Sequence, residues 1–482
     1  MRKLLLVALA LIVLVAVPGP AWSHPGRGFG GPGPAGHLAE PLSADAVDAY
    51  LRGALDATGL PGLSAVVTHG GQVVHATGLG RDSTGRPVTP DTPMRVASLS
   101  KSFTAAAVLS LVDERRVALD TPVVTYLPEF RTADPRTGRI TVRHLLHHTS
   151  GLSDRTLDIG ATQRATTLTG YLAALHDGTL TGEPGSRFEY CNVNYDVAAR
   201  LVEAVDGRPF ADALRARVFG PLGMGGSTVG DGPADGYVSL YGAWVPRAEL
   251  PGFRGGAGGV VTTASDMGRW LISQAGHGPQ VLTPDARATL HGPPPGEDYA
   301  MGWSVEVEEG RTLLVHSGNL FTYTSVQAFD PVTGHGFAVL TNSAALHDDT
   351  YDILLGLSAL TAGRTADPPG GERQRIDAVL VLIAAPAAGL GILGALRSGR
   401  WACRRTGWPA VAGLIWPLLP VAVFVTSPQW LSALMNGRAV TWAQLTYFPA
   451  SLTATLAVTA AAGLAVVVAR LTRLARRPGR DR

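Results

Sequence analysis

Ser98 and Lys101 are the residues of this 482-residue chain whose types and spacing most directly suggest chemistry. They open an apolar stretch that ends at Val112, which predicts a helix, and residues three apart share one face of a helix. A serine hydroxyl becomes a nucleophile when a base lies beside it, and a lysine can be that base where burial lowers its pKa. Free backbone N–H groups at the helix start could stabilise an oxyanion. The pair predicts acyl transfer; the alternative is a serine that only caps the helix.

The lysine count supports the chemical interpretation. The 40 Lys and Arg residues include only two lysines, Lys3 and Lys101, and Lys3 lies in a segment that we expect to be removed. Arginine keeps its proton at any accessible pH, whereas a desolvated lysine can lose it. A lysine therefore stands at the position where an arginine could not act as a base.

Two further stretches could complete a site for acyl transfer. Tyr190 and Asn192 are separated by one residue before a predicted helix, so their side chains would point the same way from an extended segment. A half-buried tyrosine and a helix-capping asparagine are the alternative. His316, Gly318 and Asn319 end a predicted strand. Glycine there allows substrate to approach the backbone closely, and a strand edge offers unpaired N–H groups.

The order of predicted elements indicates how these residues would be positioned. Strand patterns occur at 63–68 and 72–77 and again at 302–307, 312–316, 324–329 and 336–341. Helical patterns occur at 44–60, 98–114, 168–176, 194–205, 210–218, 265–274 and 348–360. Strands at both ends with helices between them predict an α+β fold, in which N- and C-terminal strands form one antiparallel sheet beside a helical cluster.

Both ends of the chain differ from this globular part. Residues 1–23 have a basic start, an apolar run and a small-x-small end, which is typical of a secretory signal peptide, with an uncleaved anchor helix as the alternative. Residues 24–41 are rich in Gly and Pro and predict a flexible tether. In the C-terminal region, 372–482, three apolar stretches near 378–396, 408–427 and 448–469 could each cross a bilayer as a helix; a buried helical bundle is the alternative. Three prolines predict a kink in the second stretch.

The distribution of charge favours membrane spans and one topology. Residues 372–482 hold 13 Lys and Arg against 3 Asp and Glu, and the loop between the second and third spans holds only Arg438. With the globular part outside, both arginine-rich segments face the cytoplasm, as the positive-inside rule requires. Residues 24–371 hold 25 Lys and Arg against 35 Asp and Glu, which argues against a nucleic-acid partner. We therefore predict a multi-pass protein of the cell membrane whose C-terminal helices contact the lipid bilayer.

The sequence predicts no cofactor and no metal. It has no Cys/His zinc spacing and no phosphate loop, and the glycine-rich stretch 255–259 is expected to form a turn beside a cleft. The histidine cluster at 144–148 could suggest a metal, but no carboxylate or cysteine accompanies it at ligand spacing, so we expect packing beside the catalytic loop. Cys191 and Cys403 are predicted on opposite sides of the membrane, which excludes a disulfide between them.

Together these motifs resemble the serine β-lactamase, penicillin-binding protein and D-aminopeptidase family, especially its class C β-lactamase-like and esterase branch. Three motifs match in the family's order, namely Ser98-x-x-Lys101, Tyr190-x-Asn192 and His316-x-Gly318. Segments 145–152, 258–260 with 265–267, and 301–303 also look like family framework. The resemblance covers about residues 44–360, and it implies a β-lactamase/transpeptidase-like domain at 42–365.

The resemblance also implies roles for the catalytic residues. Ser98 would be the acylated nucleophile and Lys101 its charge and proton partner. Tyr190 would be the general base that later returns a proton to the leaving group. The backbone N–H groups of Ser98 and Asn319 would form the oxyanion hole.

Three further residues would contact the substrate. Asn192 would hold the amide of the substrate or the lysine, and His316 and Gly318 would line the cleft. His316 stands where β-lactamases and many penicillin-binding proteins have lysine, a variant more like the D-aminopeptidases and esterases. A neutral histidine would hold a substrate carboxylate less firmly.

The function that follows is a membrane-anchored, extracytoplasmic serine hydrolase that acts through an acyl-enzyme on a small ester, amide or D-amino-acid peptide. A D,D-carboxypeptidase or a β-lactamase proper is one alternative. The other is a non-catalytic ligand-binding module whose spans report occupancy, for which a broken motif would be expected.

Overall fold

The computed structural model of the chain describes residues 43–230, 232–308 and 310–476. The predicted signal peptide at 1–23 and tether at 24–41 lie outside the described residues, as do the last three arginines of the tail.

Strands from both ends of the domain form its central sheet. The strands, in chain order, are β1 (Gly62–His69), β2 (Gln72–Gly80), β3 (Met94–Arg95), β4 (Thr228–Val229), β5 (Gly236–Leu240), β6 (Ala243–Arg247), β7 (Val260–Thr262), β8 (Ser304–Glu308), β9 (Arg311–Asn319), β10 (Thr324–Phe329), β11 (His335–Thr341) and β12 (Ser343–Ala344). Six of them form an antiparallel sheet in the order β2-β1-β11-β10-β9-β8. The predicted pairing of N- and C-terminal strands is confirmed by β1 and β11, whose register places Leu63 opposite Thr341.

Helices cover both faces of this sheet. Within the domain they are Ala44–Thr58, Ser100–Asp113, Val142–Leu146, Ile159–Gln163, Leu168–Ala173, Val193–Asp206, Phe210–Leu214, Ala264–Gln274, Pro284–His291 and Asp349–Thr361. Alternate residues of a strand point to opposite faces. Leu63, Ala65 and Val67 accordingly pack under the first and last of these helices, while Val66 packs into the core of the helical cluster.

The helix Ser100–Asp113 lies at the centre of the helical cluster. Its residues are buried from Ser100 to Leu111. It packs against the helices Val193–Asp206 and Pro284–His291. Because this helix is buried on every side, its N-terminal end, next to Ser98, has little freedom to move.

Some elements differ from the sequence prediction. Ser98 lies in a 3-10 turn, Ala97–Leu99, ahead of the helix that was predicted to start there. The helix predicted at 210–218 ends at Leu214 and continues as a π-helical turn, Arg215–Phe219. Two small sheets, β3-β7-β4 and β12-β5-β6, were not predicted, because strands of two to five residues carry too short a pattern to recognise.

Three C-terminal helices are long and apolar enough to cross a membrane: Glu372–Leu396, Trp408–Val425 and Ala450–Ala475. We call them the first, second and third apolar helices. The second is interrupted at one of its prolines by a 3-10 turn, Trp416–Leu418. Only 22%, 11% and 33% of the apolar stretches of the three helices are buried inside the protein, which argues against the alternative of a buried bundle. Large exposed apolar side chains include Leu382, Ile392, Leu396, Trp408, Val425 and Leu464. Shorter helices lie at Ser398–Arg404, Ser427–Leu434 and Trp442–Leu445.

Candidate active site

The turn that carries Ser98 is strained and held in place. Ala97 has a φ of 47°, a left-handed conformation that is unfavourable for a residue with a Cβ. The hydroxyl of Ser100 donates to the Ala97 carbonyl at 2.6 Å, and that of Ser325 donates to the Val96 carbonyl at 2.9 Å. Strain of this kind is concentrated at functional sites. Ser98 does not cap the helix, which begins at Ser100 without a side-chain cap, so that alternative is contradicted.

Lys101 is fully buried, and its three donors have three acceptors. Its Nζ donates to Ser98 Oγ at 3.0 Å, to Asn192 Oδ1 at 2.9 Å and to the Ala257 carbonyl at 2.8 Å. Burial lowers the pKa of Lys101, with the Tyr190 phenol opposing and the Arg438 charge reinforcing the shift. A lysine in this setting gives up its proton more readily than one in water.

Tyr190 approaches the same hydroxyl from another direction. Its Oη lies 3.0 Å from Ser98 Oγ, and its ring centroid lies 4.9 Å from Lys101 Nζ. The buried ring of His148 packs behind it with centroids 4.4 Å apart. The structure therefore brings a lysine and a tyrosine to one serine hydroxyl.

Asn192 takes one of its two implied roles. Its carbonyl oxygen accepts from Lys101, and its side chain makes no capping hydrogen bond to the helix Val193–Asp206. The alternative of a helix-capping asparagine is thus contradicted. The amide group orients the lysine.

The sequence analysis missed the function of the glycine-rich turn at 255–259. Its Ala257 carbonyl is the third acceptor of Lys101, and Asp196 Oδ1 accepts from the Ala257 N–H at 3.1 Å. Thr104 Oγ1 donates to the Gly256 carbonyl at 2.8 Å. Burial raises the pKa of Asp196 to about 6. The turn that was predicted beside a cleft therefore holds the lysine in place. The only sign of it in the sequence was the number of glycines.

His316 is neutral, and both of its ring nitrogens have hydrogen-bond partners within the domain. Its Nδ1 lies 2.7 Å from the Ser317 carbonyl, which can only accept, so the proton is on Nδ1. Its Nε2 then accepts from the Tyr299 hydroxyl at 3.2 Å. Burial lowers the pKa of His316 to about 3, and the Lys101 charge acts in the same direction. No positive charge arises at this motif near neutral pH.

Gly318 accommodates the protein's own turn, and its expected contact with substrate stays a prediction. A Cβ at this position would overlap the Val96 carbonyl oxygen and the Ser325 hydroxyl. The strand end that carries Asn319 can therefore lie against the turn that carries Ser98. In addition, β8 pairs with β9 only from Arg311 to Val315, which leaves the end of β9 without a partner on that side in the described part of the chain.

The three clustered histidines have separate partners. His144 Nδ1 accepts from the Thr141 N–H and completes a capping box. His147 donates to the Tyr299 carbonyl at 3.4 Å, and His148 packs on Tyr190. Of the three, His148 packs beside a candidate catalytic residue as expected.

Comparisons with known proteins show the family of the chain. A family model described as beta-lactamase matches residues 47–361. Penicillin-binding protein 4 of Amycolatopsis lactamdurans is 30% identical over 334 residues, which are 63% of this chain and 86% of that protein. Esterase EstB of Burkholderia gladioli is 38% identical over 194 residues, 37% of this chain and 49% of the esterase. Protein flp of Staphylococcus aureus (strain MW2) is 27% identical over 318 residues, 62% of this chain and 63% of that protein. The chain thus spans less than two thirds of the latter two.

Solved structures share the fold. The octameric penicillin-binding protein homologue from Pyrococcus abyssi matches with a TM-score of 0.58 and 25% identity over 66% of this chain and 77% of that one. The D-amino acid amidase from Ochrobactrum anthropi SV3 matches with a TM-score of 0.54 and 26% identity over 66% and 96%. The predicted α+β fold is confirmed, and the chain belongs to the β-lactamase family.

Proposed function

We propose that the chain is a serine hydrolase, anchored in the cell membrane with its catalytic domain outside, that acts through an acyl-enzyme. One observation carries the proposal: Lys101 Nζ and Tyr190 Oη both lie 3.0 Å from Ser98 Oγ. A hydroxyl with two proton-transfer partners at hydrogen-bond distance is the arrangement that nucleophilic catalysis needs.

The acylation half-reaction follows from these contacts. In the reactive form the pair of Tyr190 and Lys101 lacks one proton, which the lowered pKa of Lys101 favours. Ser98 Oγ then attacks the carbonyl carbon of the substrate, and its proton passes to this pair. The negative charge moves to the carbonyl oxygen, where the backbone N–H groups of Ser98 and Asn319 would stabilise it. When the bond to the leaving group breaks, the pair returns the proton to that group, and the acyl group stays on Ser98.

Deacylation reverses these roles. A water molecule gives its proton to the same pair and attacks the acyl carbon, and the proton then restores the Ser98 hydroxyl as the acid leaves. Asn192 and the Ala257 carbonyl keep Lys101 within reach of Ser98 in both halves.

The proposed substrates are small esters, amides or D-amino-acid peptides. The relatives are named as an esterase, a D-amino acid amidase and a penicillin-binding protein. The neutral His316 places no positive charge at the third motif for a substrate carboxylate, which suits esters and simple amides. Hydrolysis of β-lactams or D,D-carboxypeptidase activity is the alternative within the same mechanism.

The proposed membrane topology has support from both sequence and structure. The loop between the second and third apolar helices contacts the catalytic domain, where Arg247 donates to the Thr446 carbonyl at 2.6 Å. The loop between the first and second packs at the other end of the third helix, where Arg470 lies over Trp401. These contacts support the proposal that the arginine-poor loop and the catalytic domain lie on one side of the membrane, as the charge distribution predicts.

The test is intact-mass spectrometry of the full chain, purified in detergent, after exposure to a fluorophosphonate, a penicillin, a p-nitrophenyl ester and a D-alanyl peptide. We expect an adduct on Ser98 that is absent from Ser98→Ala and present in the control Ser186→Ala, which alters an exposed hydroxyl. The identity of the reagent that forms this adduct also indicates the substrate class. Full activity of Ser98→Ala on any substrate cleaved by the wild type would refute the mechanism, and a folded chain without any adduct would favour the ligand-binding module.

A further inference from the structure

The loop between the second and third apolar helices reaches the mouth of the candidate active site. After the helix Ser427–Leu434 it turns at Asn436 and Gly437, whose φ angles are 55° and 82°. Arg155 Nη2 donates to the carbonyl and to the side-chain oxygen of Asn436, each at 2.8 Å. The Ala439 N–H donates to Asp154 Oδ2 at 3.4 Å. Two adjacent residues of the catalytic domain therefore hold both ends of the turn.

Gly437 is required for this docking. A Cβ at this position would overlap the side chain of Arg155, and the positive φ is itself unfavourable for other residues. The turn is thus built to lie against the catalytic domain, and Arg438 follows it directly.

Arg438 is placed beside the reacting groups. Its guanidinium carbon lies 5.3 Å from the centroid of the Tyr190 ring, and the hydroxyl of that ring lies 3.0 Å from Ser98 Oγ. The charge of Arg438 is close enough to act on Lys101, whose pKa it helps to lower. One aromatic ring separates the guanidinium from the nucleophile.

The donors of Arg438 remain available to a ligand. Its side chain is 37% exposed, and its one ion pair among the described residues joins Nε to Asp154 Oδ2 at 3.9 Å, too far for a hydrogen bond. Asp154 also lies 3.5 Å from Cys191 Sγ. A guanidinium has five N–H donors in a planar fork that fits a carboxylate or phosphate with two parallel bonds.

The other cationic candidates at the site are unavailable for this role. Lys101 uses its three donors on Ser98, Asn192 and Ala257, and His316 is neutral. An anionic group on a substrate would meet a fixed positive charge with available donors at Arg438.

We propose that Arg438 binds an anionic oxygen group of the substrate, a carboxylate or a phosphate, at the mouth of the active site. The inference rests on the proposed function and deepens it, because it names the preferred substrate as an ester or amide that carries such a group. It also makes the catalytic domain incomplete without the apolar helices, since these supply the loop.

Three esters that differ in one group test this inference on the full chain in detergent: phenyl acetate, 3-acetoxybenzoate and 3-acetoxyphenyl phosphate. The enzymes compared are the wild type, Arg438→Gln, Arg438→Lys and the control Arg375→Gln, which removes a charge at the exposed start of the first apolar helix. Comparing each ester across variants cancels its intrinsic reactivity.

We expect Arg438→Gln to lower kcat/KM for an anionic ester about tenfold or more, mainly through KM, because the contact is made in the bound substrate as well as in the transition state. For phenyl acetate the change should stay within about twofold. Arg438→Lys should keep part of the preference, and Arg375→Gln all of it. A loss confined to the carboxylate or to the phosphate ester identifies the anion.

Three results would overturn the inference. The first is an equal loss on all three esters, since Arg438 would then act on Tyr190 or on the fold. The second is no loss on any, and the third is a wild type that hydrolyses none of them. Failure of the proposed function is separately visible, because Ser98→Ala would then cleave these esters as fast as the wild type.

Discussion

Lys101 Nζ and Tyr190 Oη lie at equal distances from the Ser98 hydroxyl. Other residues of the site hold the lysine in place. An asparagine side chain and a backbone carbonyl accept its other two protons. Each acceptor comes from a different part of the chain, so the lysine is fixed in three directions. If Lys101 takes part in proton transfer as proposed, a group buried and fixed in this way needs no reorganisation when the proton moves.

Replacing the lysine by the other cation tests whether it works as a base. We expect Lys101→Arg to lower kcat/KM by about 10²–10⁴-fold, because arginine cannot lose its proton and its larger head group cannot make the same three hydrogen bonds. Initial rates with the best substrate from the labelling panel give the value. Arg139→Lys, an exposed change of the same kind in the opposite direction, serves as the control. An arginine variant with more than a tenth of wild-type activity would show that the residue supplies charge alone.

The buried histidines make stability depend on pH. Burial lowers the pKa of His147 to about 4, whereas the unfolded chain binds this proton near 6.5. Between these values the unfolded state holds more protons, so the free energy of unfolding falls as the pH falls. His147 alone accounts for a loss of about 2 kcal/mol between pH 7.5 and pH 5.

Comparing His147→Gln with the wild type isolates this contribution. Asp196 acts in the opposite direction, since its raised pKa lets the folded state take up a proton below pH 6, so the wild-type curve alone is a mixture. We expect denaturant unfolding of the full chain to show a smaller drop between pH 7.5 and pH 5 for the variant, by about 2 kcal/mol. Equal drops in both proteins would mean that His147 is charged in the folded state.

At the scale of elements, a strand end and a strained turn meet across Gly318. Adding a methyl group there would push the end of β9 away from the Val96 carbonyl, which precedes the strained Ala97. We expect Gly318→Ala to cost about 1–3 kcal/mol of stability and to lower kcat/KM at least tenfold, because the turn with Ser98 must move.

The matched control for this change is Gly225→Ala. A Cβ on Gly225 would meet open space, and its φ is not positive, so activity and Tm should stay close to the wild type. If Gly318→Ala retained wild-type activity with an unchanged Tm, the close approach of the two elements would not matter for the site.

The same elements show which features a sequence can predict. The long strands, the pairing of the chain's two ends and the interruption of the second apolar helix follow from period-two patterns and from proline, both of which are local. The Ala257 carbonyl and Asp196 escaped prediction because a backbone carbonyl has no residue-type signature and its contact spans 156 residues. Arg438 was visible only as the single charge of its loop, since docking of that loop depends on how the apolar helices pack on the domain.

At the scale of the whole molecule, the apolar helices and the catalytic domain are joined by polar contacts as well as by chain connection. Arg373 and Asp377 at the start of the first apolar helix are buried against Ser239, and Tyr241 donates its N–H to Ser451 at the start of the third. With the docked loop, these contacts hold the domain at one end of the three helices. If the helices span the membrane as proposed, the mouth of the active site opens close to the lipid surface.

The two free cysteines provide a test of this topology without a reporter fusion. Cys403 is exposed in the helix after the first apolar helix, on the side proposed to be cytoplasmic, and Cys191 is buried. Burial also raises the pKa of Cys191, so it stays an unreactive thiol. A membrane-impermeant maleimide should therefore leave the wild type unlabelled on intact cells and label Cys403 once the cells are permeabilised.

In the control, Arg131→Cys in a Cys403→Ser background, the exposed position in the catalytic domain should be labelled on intact cells. Labelling of Cys403 on intact cells at the rate of the control would place that helix on the same side as the catalytic domain. Because the second apolar helix lies between Cys403 and Arg438, the loop with Arg438 would then be on the opposite side of the membrane from the active site, so a single experiment tests both the anchor and the surroundings of the site.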